Sequence, residues 1–373
     1  MSDRPRLLIV GRSRYRLPLD DSLRRKFDAL GEALDVRVIG TALSDGGGDA
    51  TFRLVRRRRP AVLDGALFYA SLPRVVASEL RAHRPDAVLT QSAYEAAAVL
   101  IARAVARSDA RLIVDVHGDW DTATELYGSR LRRVLSPVTT RVSRAALRRA
   151  DAVRTISEFT SDLVRREGVE PAHVFPAYVD FGTFSERPPE PPPERPRALF
   201  VGVLERYKNV DGLAAAWRRV HEREPDVGLV IVGSGRERAI VERLVAEVPG
   251  VTWHERLTHD EVALALDDAT LLVLPSRSEG LPRIVIEAFC RGRPVVGARA
   301  GGIPDIVEDD VNGVLVPAGD PDALADALVT VLTDGALQRR LADGARASAE
   351  RWLQTPEEYA ARIRELVARA SAA

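Results

Sequence analysis

The sequence contains few of the residues on which several classes of protein depend. It has one cysteine, Cys290, among 373 residues, which excludes a disulfide framework. No group of cysteine and histidine residues has the spacing of a structural zinc site. The apolar run near the N-terminus, Leu7–Val10, has only four residues, fewer than a signal-peptide core or a membrane span needs. These absences predict a soluble, cytoplasmic protein.

Charge is balanced over the chain but not between its halves. The chain has 54 basic and 54 acidic side chains. Residues 1–185 carry 30 of the basic and 23 of the acidic side chains, a net charge of +7, which leaves −7 on residues 186–373. Such asymmetry indicates different partners for the two halves. With 46% hydrophobic residues, each half has enough apolar side chains to bury a core.

A proline-rich segment divides the chain. Residues 186–196 contain six prolines in eleven positions, a composition that favours extended polyproline II and a semi-rigid spacer. We therefore predict a first domain over residues 1–185, a linker over 186–196, a second domain over 197–344 and a helical region over 345–373. Pro356 interrupts this last region, and its final helix is expected to cross back to the first domain.

Both halves alternate short apolar runs with helix-length amphipathic stretches. The runs are apolar at successive positions, as in parallel strands covered on both faces. This alternation predicts an α/β fold with two doubly wound, Rossmann-like domains. Ligands of such domains bind at the carboxyl ends of the strands, so we expect the domains to face each other across a cleft. The predicted strands are Leu7–Val10, Val36–Ile39, Ala87–Thr90, Leu112–Val116, Ala152–Ile156, Ala198–Val201, Gly228–Val232, Val251–Trp253, Leu271–Leu274, Val295–Val296 and Val314–Val316.

The most informative motif follows the predicted strand Leu271–Leu274. The strand is followed by Glu279, then by Gly280-Leu281-Pro282, and then by a predicted helix that contains Glu287. The two glutamates therefore have an E-x7-E spacing. A helix start attracts anions through its free N–H groups. Two carboxylates beside it suit hydroxyl groups better than phosphate, so we interpret them as acceptors for sugar and ribose hydroxyls. The alternative is a loop acid and a surface glutamate.

A glycine turn with two cations follows the first strand of the second half. Gly202 is followed by Arg206 and Lys208, before a helix predicted from Asp211. An arginine fork and a lysine point charge can hold a diphosphate. The alternative is a solvated basic loop.

The stretch from Gly202 to Pro317 resembles the donor-binding domain of the retaining glycosyltransferases of family four, which have the GT-B fold. The first domain resembles that family in its layout and in His117, and the terminal helix resembles the family's crossover helix. The features that match in order are the turn at Gly202 and Lys208, the strand before Gly233-Ser-Gly235, the loop ending near Leu257, the pair Glu279/Glu287, and Gly301-Gly302-Ile303-Pro304.

The resemblance implies roles for the donor-binding residues, with Gly202 and Gly233 in the loops that face the donor. Lys208, helped by Arg206, would neutralise the donor diphosphate as it leaves. Glu287 would accept hydrogen bonds from the ribose. Glu279, together with the N–H groups of Gly280 and Leu281, would hold the transferred sugar. Arg256 would line the slot for the base.

The resemblance is weaker on the acceptor side. His117 follows the strand Leu112–Val116, and in the family this residue faces the donor sugar, so we take His117, Lys208 and Glu279 as the catalytic candidates. Arg14, Asp119 and Asp121 are the candidates for contact with the acceptor. Asp119-Trp-Asp121 imitates a metal-binding DxD motif, but enzymes of this type generally need no metal at the donor, and we expect none.

The sequence departs from the family pattern in two places. Val203 stands where the family usually has an arginine directly after the first glycine of the turn. The glycine-rich loop that usually follows the first strand is replaced by the basic stretch from Gly11 to Arg16.

Two further patterns concern cofactors and partners. Gly233-Ser-Gly235 lacks the third glycine of a dinucleotide fingerprint, so we expect no NAD and no other cofactor. The basic run Arg53–Arg59 lacks the aromatic residues or the module that nucleic-acid binding requires. An apolar segment, residues 61–76, follows that run. The pair predicts either peripheral contact with the inner membrane face or a solvated basic face.

The sequence therefore predicts a glycosyltransferase that moves a hexose-type sugar from a nucleotide-diphosphate-sugar donor. The acceptor would be a hydroxyl group of a small molecule, a glycan or a lipid-linked sugar, and the anomeric configuration would be retained. Two alternatives stay open. One is a non-catalytic binder of nucleotide sugars, which Val203 favours, and the other is a sugar-nucleotide epimerase or a phosphorylase on the same fold.

Overall fold

A computed structural model describes residues 4–43, 48–56, 61–119 and 140–372. The contacts divide the chain into two compact units. The first unit comprises the described residues within Met1–His117, Arg130–Val179 and Gln354–Ala373, and the second comprises those within Gly118–Ser129 and Asp180–Leu353.

The first unit is built on a parallel sheet of seven strands. The strands are β1 (Arg6–Tyr15), β2 (Asp35–Ala42), β3 (Phe52–Val55), β4 (Ala87–Thr90), β5 (Arg111–Val116), β6 (Ala152–Thr155) and β7 (His173–Val174). Their order in the sheet is β3-β2-β1-β4-β5-β6-β7. The helices are α1 (Asp21–Ala33), α2 (Ala61–His83), α3 (Ala93–Ala106) and α4 (Glu158–Arg166), and residues 140–147 are also helical.

The second unit is built on a parallel sheet of six strands. The strands are β8 (Arg197–Val201), β9 (Gly228–Val232), β10 (Val251–His254), β11 (Leu271–Leu274), β12 (Val295–Ala298) and β13 (Gly313–Val316). Their order is β10-β9-β8-β11-β12-β13. The helices are α5 (Gly182–Ser185), α6 (Val210–Arg223), α7 (Arg238–Glu247), α8 (His259–Asp267), α9 (Arg283–Cys290), α10 (Pro321–Thr333) and α11 (Gly335–Ala349).

The two doubly wound sheets confirm the predicted fold class. Each predicted apolar run forms a strand, because side chains that point to both faces of a covered sheet must be apolar. The sequence prediction missed β3 and β7, which lie at the two edges of the first sheet. Strand β3 overlaps the run that we interpreted only as basic, and β7 has two residues, too few to give a pattern.

The last helix, α12 (Pro356–Ala372), belongs to the first unit. It begins at the proline that was expected to interrupt the C-terminal region. Tyr359, Ile363, Leu366 and Ala370 follow a helical spacing and are buried in the same core as β1. The expected return of the chain to the first domain is therefore confirmed. Among the described helices, none has both the length and the apolar composition for crossing a bilayer.

The order of each sheet reverses at one point. In the first unit this point lies between β1 and β4, and in the second it lies between β8 and β11. At such a point the connections leave in opposite directions and open a crevice beyond the carboxyl ends of the strands. These are the places where each sheet can expose polar residues to a ligand.

Two buried arginines fix the proline-rich segment to the second unit. Arg291 Nη2 donates to the carbonyl oxygen of Pro188 at 2.9 Å, and Arg293 Nη2 donates to that of Glu190 at 2.8 Å. Asp267 accepts from Arg291 Nε at 2.8 Å. Proline carbonyls have no partner within the segment itself, so the arginines supply the missing donors. The segment is therefore held at these points.

We expect Arg291→Met to lower the free energy of unfolding by about 3 kcal/mol, because it leaves the buried Asp267 without its main counter-charge. Urea denaturation measures this change. In the matched control, Arg223→Met, the lost partner is the solvent-exposed Asp326, and we expect less than about 1 kcal/mol. Equal losses in the two variants would contradict the anchoring role of Arg291.

Candidate functional site

Lys208 and Glu279 form a buried ion pair beyond the ends of β8 and β11. Lys208 Nζ donates to Glu279 Oε1 at 2.6 Å, across 71 positions of sequence. The two side chains are only 9% and 12% exposed, so water screens their charges poorly. The pair uses one of the three Nζ donors. The structure thus brings together two of the predicted catalytic candidates.

A lysine at this position is unusual for this chain. Only Lys26 and Lys208 are lysines among the 54 basic residues. A Cβ added to Gly202 would lie 3.2 Å from Lys208 Cε, so the glycine leaves room for the narrow lysine stem. A planar guanidinium is wider than an ammonium group and fixes its donors in one plane. The packing therefore favours lysine over arginine here.

Backbone contacts join the loops that follow the central strands. Gly233, with φ of +148°, lies where a Cβ would overlap the carbonyl oxygen of Gly202. At Gly301, with φ of +56°, a Cβ would lie 2.4 Å from the carbonyl oxygen of Glu279. The N–H of Gly302 donates to the carbonyl oxygen of Glu279 at 2.8 Å. The glycines predicted from the sequence therefore let neighbouring loops touch.

Helix α9 begins beside Glu279 without a side-chain cap. Pro282 precedes its first residue, Arg283, and no side chain accepts from the first N–H groups. Gly280 and Leu281 lie just before it and are half-buried. Uncapped N–H groups at a helix start favour anions and polar ligands. The predicted role of these N–H groups in holding a sugar stays a prediction.

Glu287 lies one turn into α9 and is mostly shielded from water. Burial raises the pKa of its carboxyl group to about 7, and Arg283 opposes this shift. Within the described residues, its carboxylate has no hydrogen-bond or ion-pair partner. A carboxylate that is desolvated and unpartnered is costly to the fold. Such a group is suited to accept hydrogen bonds from a ligand.

The remaining donor candidates lie at the same edge of the sheet but are exposed. Arg206 follows β8 and Arg256 follows β10. Neither guanidinium pairs with another residue in the part of the chain that the structure describes. Val203, which replaces the family arginine, is 48% exposed. Both arginines are therefore free to contact a ligand.

Arg277 is a residue that the sequence reasoning missed. Its backbone N–H donates to the carbonyl oxygen of Tyr207 at 2.7 Å, and its side-chain Nη2 donates to the carboxylate of Asp211 at 3.0 Å. It thereby ties the loop after β11 to the 3-10 turn Arg206–Lys208. A single arginine in a loop gives no sequence pattern, so only the fold could show this role.

In the first unit, His117 is held by a buried carboxylate. His117 Nε2 lies 2.7 Å from Asp115 Oδ2, and Arg154 Nη1 donates to the same oxygen at 2.6 Å. Asp115 and Arg154 lie opposite each other on β5 and β6. The imidazole is 42% exposed, whereas the side chain of Arg154 is fully buried. The ring is therefore oriented from its buried side and accessible from the other.

Electrostatic pairing keeps Asp115 ionised. Burial alone would raise its pKa, but Arg154 and His117 together lower the pKa of this carboxyl group below its usual value. The sequence reasoning missed Asp115 and Arg154. A signal was present, because each is a charged residue within an otherwise apolar strand, where only a paired charge is tolerated.

The three acceptor candidates are not brought together by the described contacts. Arg14 lies on β1 and is exposed, and Asp119 is half-buried after β5. Asp121 lies outside the described residues. No three side chains of Asp, Glu, His or Cys form a cluster within the described part of the chain. The prediction that the donor binds without a metal stays a prediction.

The apolar segment that we associated with a membrane packs inside the first unit. In α2, Phe68, Leu72 and Val76 are buried. Arg53, in the preceding basic run, donates to Glu79 at 2.7 Å. Three further arginines of that run, residues 57–59, lie outside the described residues. These three buried side chains are therefore not available to a membrane, and peripheral membrane contact stays a prediction.

Two Rossmann-like units with a returning C-terminal helix define the GT-B class of proteins. Comparison of whole folds agrees with this class. Sucrose-phosphate synthase from Thermosynechococcus elongatus superposes with a TM-score of 0.78 at 21% identity, over 98% of this chain and 99% of that one. HepE from Anabaena, solved in complex with UDP and glucose, gives a TM-score of 0.69 at 18% identity, over 98% and 100%.

Family models identify both halves. "Glycosyl transferase 4-like domain" matches residues 21–178, and "Glycosyl transferases group 1" matches residues 195–334. The chain belongs to the group 1 glycosyl transferases.

Curated relatives agree with this family. A D-inositol 3-phosphate glycosyltransferase of Xylanimonas cellulosilytica is 35% identical over 224 residues, which are 54% of this chain and 52% of the relative. Alpha-D-kanosaminyltransferase of Streptomyces kanamyceticus is 28% identical over 228 residues, 57% of this chain and 59% of the relative. The matches span about half the length of these relatives.

A double-mutant cycle tests the ion pair at the end of β8 and β11. We expect Lys208→Met and Glu279→Gln each to lower the free energy of unfolding, because each leaves a buried charged residue without its counter-charge. The double variant should lose less than the sum of the two, with a coupling energy of about 2 kcal/mol. Urea denaturation of the four proteins measures it.

The exposed pair Arg219–Asp322 provides the control cycle, for which we expect a coupling energy below about 1 kcal/mol. A coupling at Lys208–Glu279 no larger than in this control would show that the pair is not desolvated.

Proposed function

We propose that this protein is a retaining glycosyltransferase that moves a sugar from a nucleotide-diphosphate donor to a hydroxyl acceptor. The observation that carries the proposal is the buried Lys208–Glu279 pair at the switch point of the second sheet. It lies within the segment that matches the group 1 family. The complex of the similarly folded HepE with UDP and glucose supports a nucleotide-sugar donor.

Lys208 is the residue we propose to act on the leaving group. Its two remaining Nζ donors can bind a diphosphate oxygen while Glu279 holds the ammonium group in place. A positive charge that is fixed and poorly screened stabilises negative charge as it develops on the diphosphate. Arg206 adds a second, exposed cation to the same loop.

Glu279 and Glu287 are proposed to recognise hydroxyl groups. The second oxygen of Glu279, which the pair with Lys208 leaves free, can accept from the transferred sugar. Glu287 has no described partner and can accept from two neighbouring ribose hydroxyls, so donor binding would satisfy a carboxylate that is otherwise unpaired.

The proposed transfer takes place on one face of the sugar. The acceptor oxygen forms a bond to the anomeric carbon as the bond from that carbon to the diphosphate oxygen breaks. The proton of the acceptor hydroxyl passes to the leaving diphosphate oxygen. We assign no carboxylate as a covalent nucleophile, so the configuration is retained without a glycosyl-enzyme intermediate.

The acceptor is proposed to be a hydroxyl group of a small molecule, a glycan or a lipid-linked sugar. The name of one relative, D-inositol 3-phosphate glycosyltransferase, supports a small polar acceptor. We propose that any peripheral membrane contact depends mainly on arginine charge, because Phe68, Leu72 and Val76 of α2 are buried.

A panel of UDP-, GDP- and ADP-sugars tests the function. We expect one nucleotide class to raise the melting temperature, because it binds only the native state, and to be hydrolysed slowly without an acceptor. Lys208→Ala should lower the release of nucleoside diphosphate at saturating donor at least tenfold. Lys208→Arg should not restore it, because the guanidinium does not fit beside Gly202.

The same panel separates the alternatives. Binding of a donor with no hydrolysis and no transfer would indicate a non-catalytic binder. Conversion of one sugar nucleotide into another would indicate an epimerase, and full activity of Lys208→Ala would remove Lys208 from the mechanism. We also propose that the donor binds without a metal, so EDTA should leave activity unchanged. Complete loss that Mg²⁺ or Mn²⁺ restores would contradict this.

Glu287→Gln should weaken nucleotide binding and stabilise the free protein. Because burial raises the pKa of Glu287 to about 7, the free energy of unfolding falls as pH rises through this value. The neutral variant avoids that loss, so its advantage is largest at pH 8, up to about 3 kcal/mol, and shrinks toward pH 5. Denaturation at both pH values measures it.

Titration calorimetry with the nucleoside diphosphate measures the binding half of this prediction, with an expected loss of about tenfold at pH 8. Glu308→Gln, at an exposed position, is the control and should change neither quantity. Unchanged affinity in Glu287→Gln would reject the ribose role.

A further inference from the structure

We propose that Arg14 and Arg16 bind a phosphate group carried by the acceptor. This inference rests on the proposed transferase function and names the chemical class of the second substrate. It concerns the first unit, where the glycine-rich loop of the family is replaced by a basic strand extension.

Strand β1 extends beyond its neighbour at the switch point of the first sheet. It pairs with β4 only as far as Val10, opposite Thr90. After a shift of register it pairs again with β2, where Arg14 lies opposite Thr41. The residues after Val10 therefore border the crevice in which a ligand of such a sheet binds.

Alternation along this extension separates its two faces. Tyr15 is buried against Phe27 and Phe52, with ring centroids 6.0 and 5.1 Å away. Ser13 Oγ donates to Gln91 Oε1 at 2.5 Å. These odd-numbered side chains hold the extension on the sheet, so the even-numbered ones point the other way. Within the strand those are Arg12 and Arg14, and Arg16 follows directly after the last strand residue, Tyr15.

Two of the three arginines have no partner among the residues that the structure describes. Arg12 Nη2 pairs with the buried Asp64 at 3.1 Å. Within the described residues, the exposed side chains of Arg14 and Arg16 form no ion pair and no hydrogen bond. Arginines elsewhere in this unit are often paired, as Arg165 is with three carboxylates. The extension thus presents two uncompensated positive charges.

The spacing and the chemistry fit a phosphate. Residues two apart in sequence lie at most about 7 Å from each other, so the long side chains of Arg14 and Arg16 can converge on one anion. Each guanidinium presents a planar fork that matches phosphate oxygens. A phosphate monoester has three terminal oxygens and a charge of about −2, enough to accept from both forks. A neutral polyol would leave both charges unsatisfied.

Glycerol 3-phosphate is the probe, with glycerol as its uncharged match. Titration calorimetry at low salt should show binding of glycerol 3-phosphate to the full chain and none of glycerol. The affinity should fall at least tenfold in Arg14→Ala/Arg16→Ala. The control Arg166→Ala/Arg364→Ala removes two exposed, unpaired arginines from helices α4 and α12 of the same unit and should stay within twofold of the natural protein.

Three results would each overturn the proposal. They are the absence of glycerol 3-phosphate binding, equal binding of glycerol, and an unchanged affinity in Arg14→Ala/Arg16→Ala. Melting temperatures establish that all variants fold. Donor hydrolysis without an acceptor is measured in the same proteins. If the natural protein hydrolyses the donor but does not bind glycerol 3-phosphate, only this inference fails. If the natural protein does not hydrolyse the donor at all, the proposed function itself is contradicted.

A second measurement distinguishes a lipid headgroup from a soluble phosphate. Phosphatidylcholine vesicles with and without phosphatidic acid are sedimented with the protein at low and high salt. Pelleting that needs phosphatidic acid, is lost in Arg14→Ala/Arg16→Ala and is reversed by salt supports a lipid source. A protein that binds glycerol 3-phosphate but stays in the supernatant supports a soluble phosphorylated acceptor.

Discussion

Burial of both faces of each parallel sheet is the constraint on which the rest of the structure depends. It makes the strands apolar along their length, so polar residues collect where the strands end. All strands of a sheet run in one direction, and their carboxyl ends therefore share one edge. Lys208 and Glu279 are far apart in sequence and meet at that edge. Asp115 and Arg154, which are charged and buried inside strands, face each other on adjacent strands because neither tolerates burial alone.

The buried charges divide into those that are paired within the protein and those that have no partner among the described residues. Arg291 with Asp267, and Arg154 with Asp115, are paired within the protein and hold a proline-rich segment and a histidine in place. Glu287 is desolvated and has no described partner, and its raised pKa expresses that cost. A carboxylate of this kind lowers the stability of the free protein but would gain hydrogen-bond partners from a bound ligand. Residues that lower stability in this way are expected at functional sites, where stability and activity conflict.

Comparison of the two sheets shows which sequence patterns carry structural information. Short apolar runs predicted every described strand except β3 and β7. The resemblance to the family's crossover helix predicted the return of the last helix to the first core, where Tyr359 and Ile363 are buried. Edge strand β3 was missed because it lies in an arginine-rich run, and only its pairing with β2 reveals it. The proline-rich segment had the composition of a free spacer, yet Arg291 and Arg293, about 100 residues away, bind its carbonyls.

The sequence by itself determined the fold class, the returning helix and the residues of the donor motifs, because these follow from local periodicity and from short, ordered patterns. Tertiary structure decided how the charges are paired. It placed Lys208 against Glu279 and Asp115 between His117 and Arg154, and it left Arg14 without a partner among the described residues. Pairing depends on distances between residues remote in sequence and on the loss of water around them. Neither the distances nor the loss of water can be inferred from the order of residues along the chain.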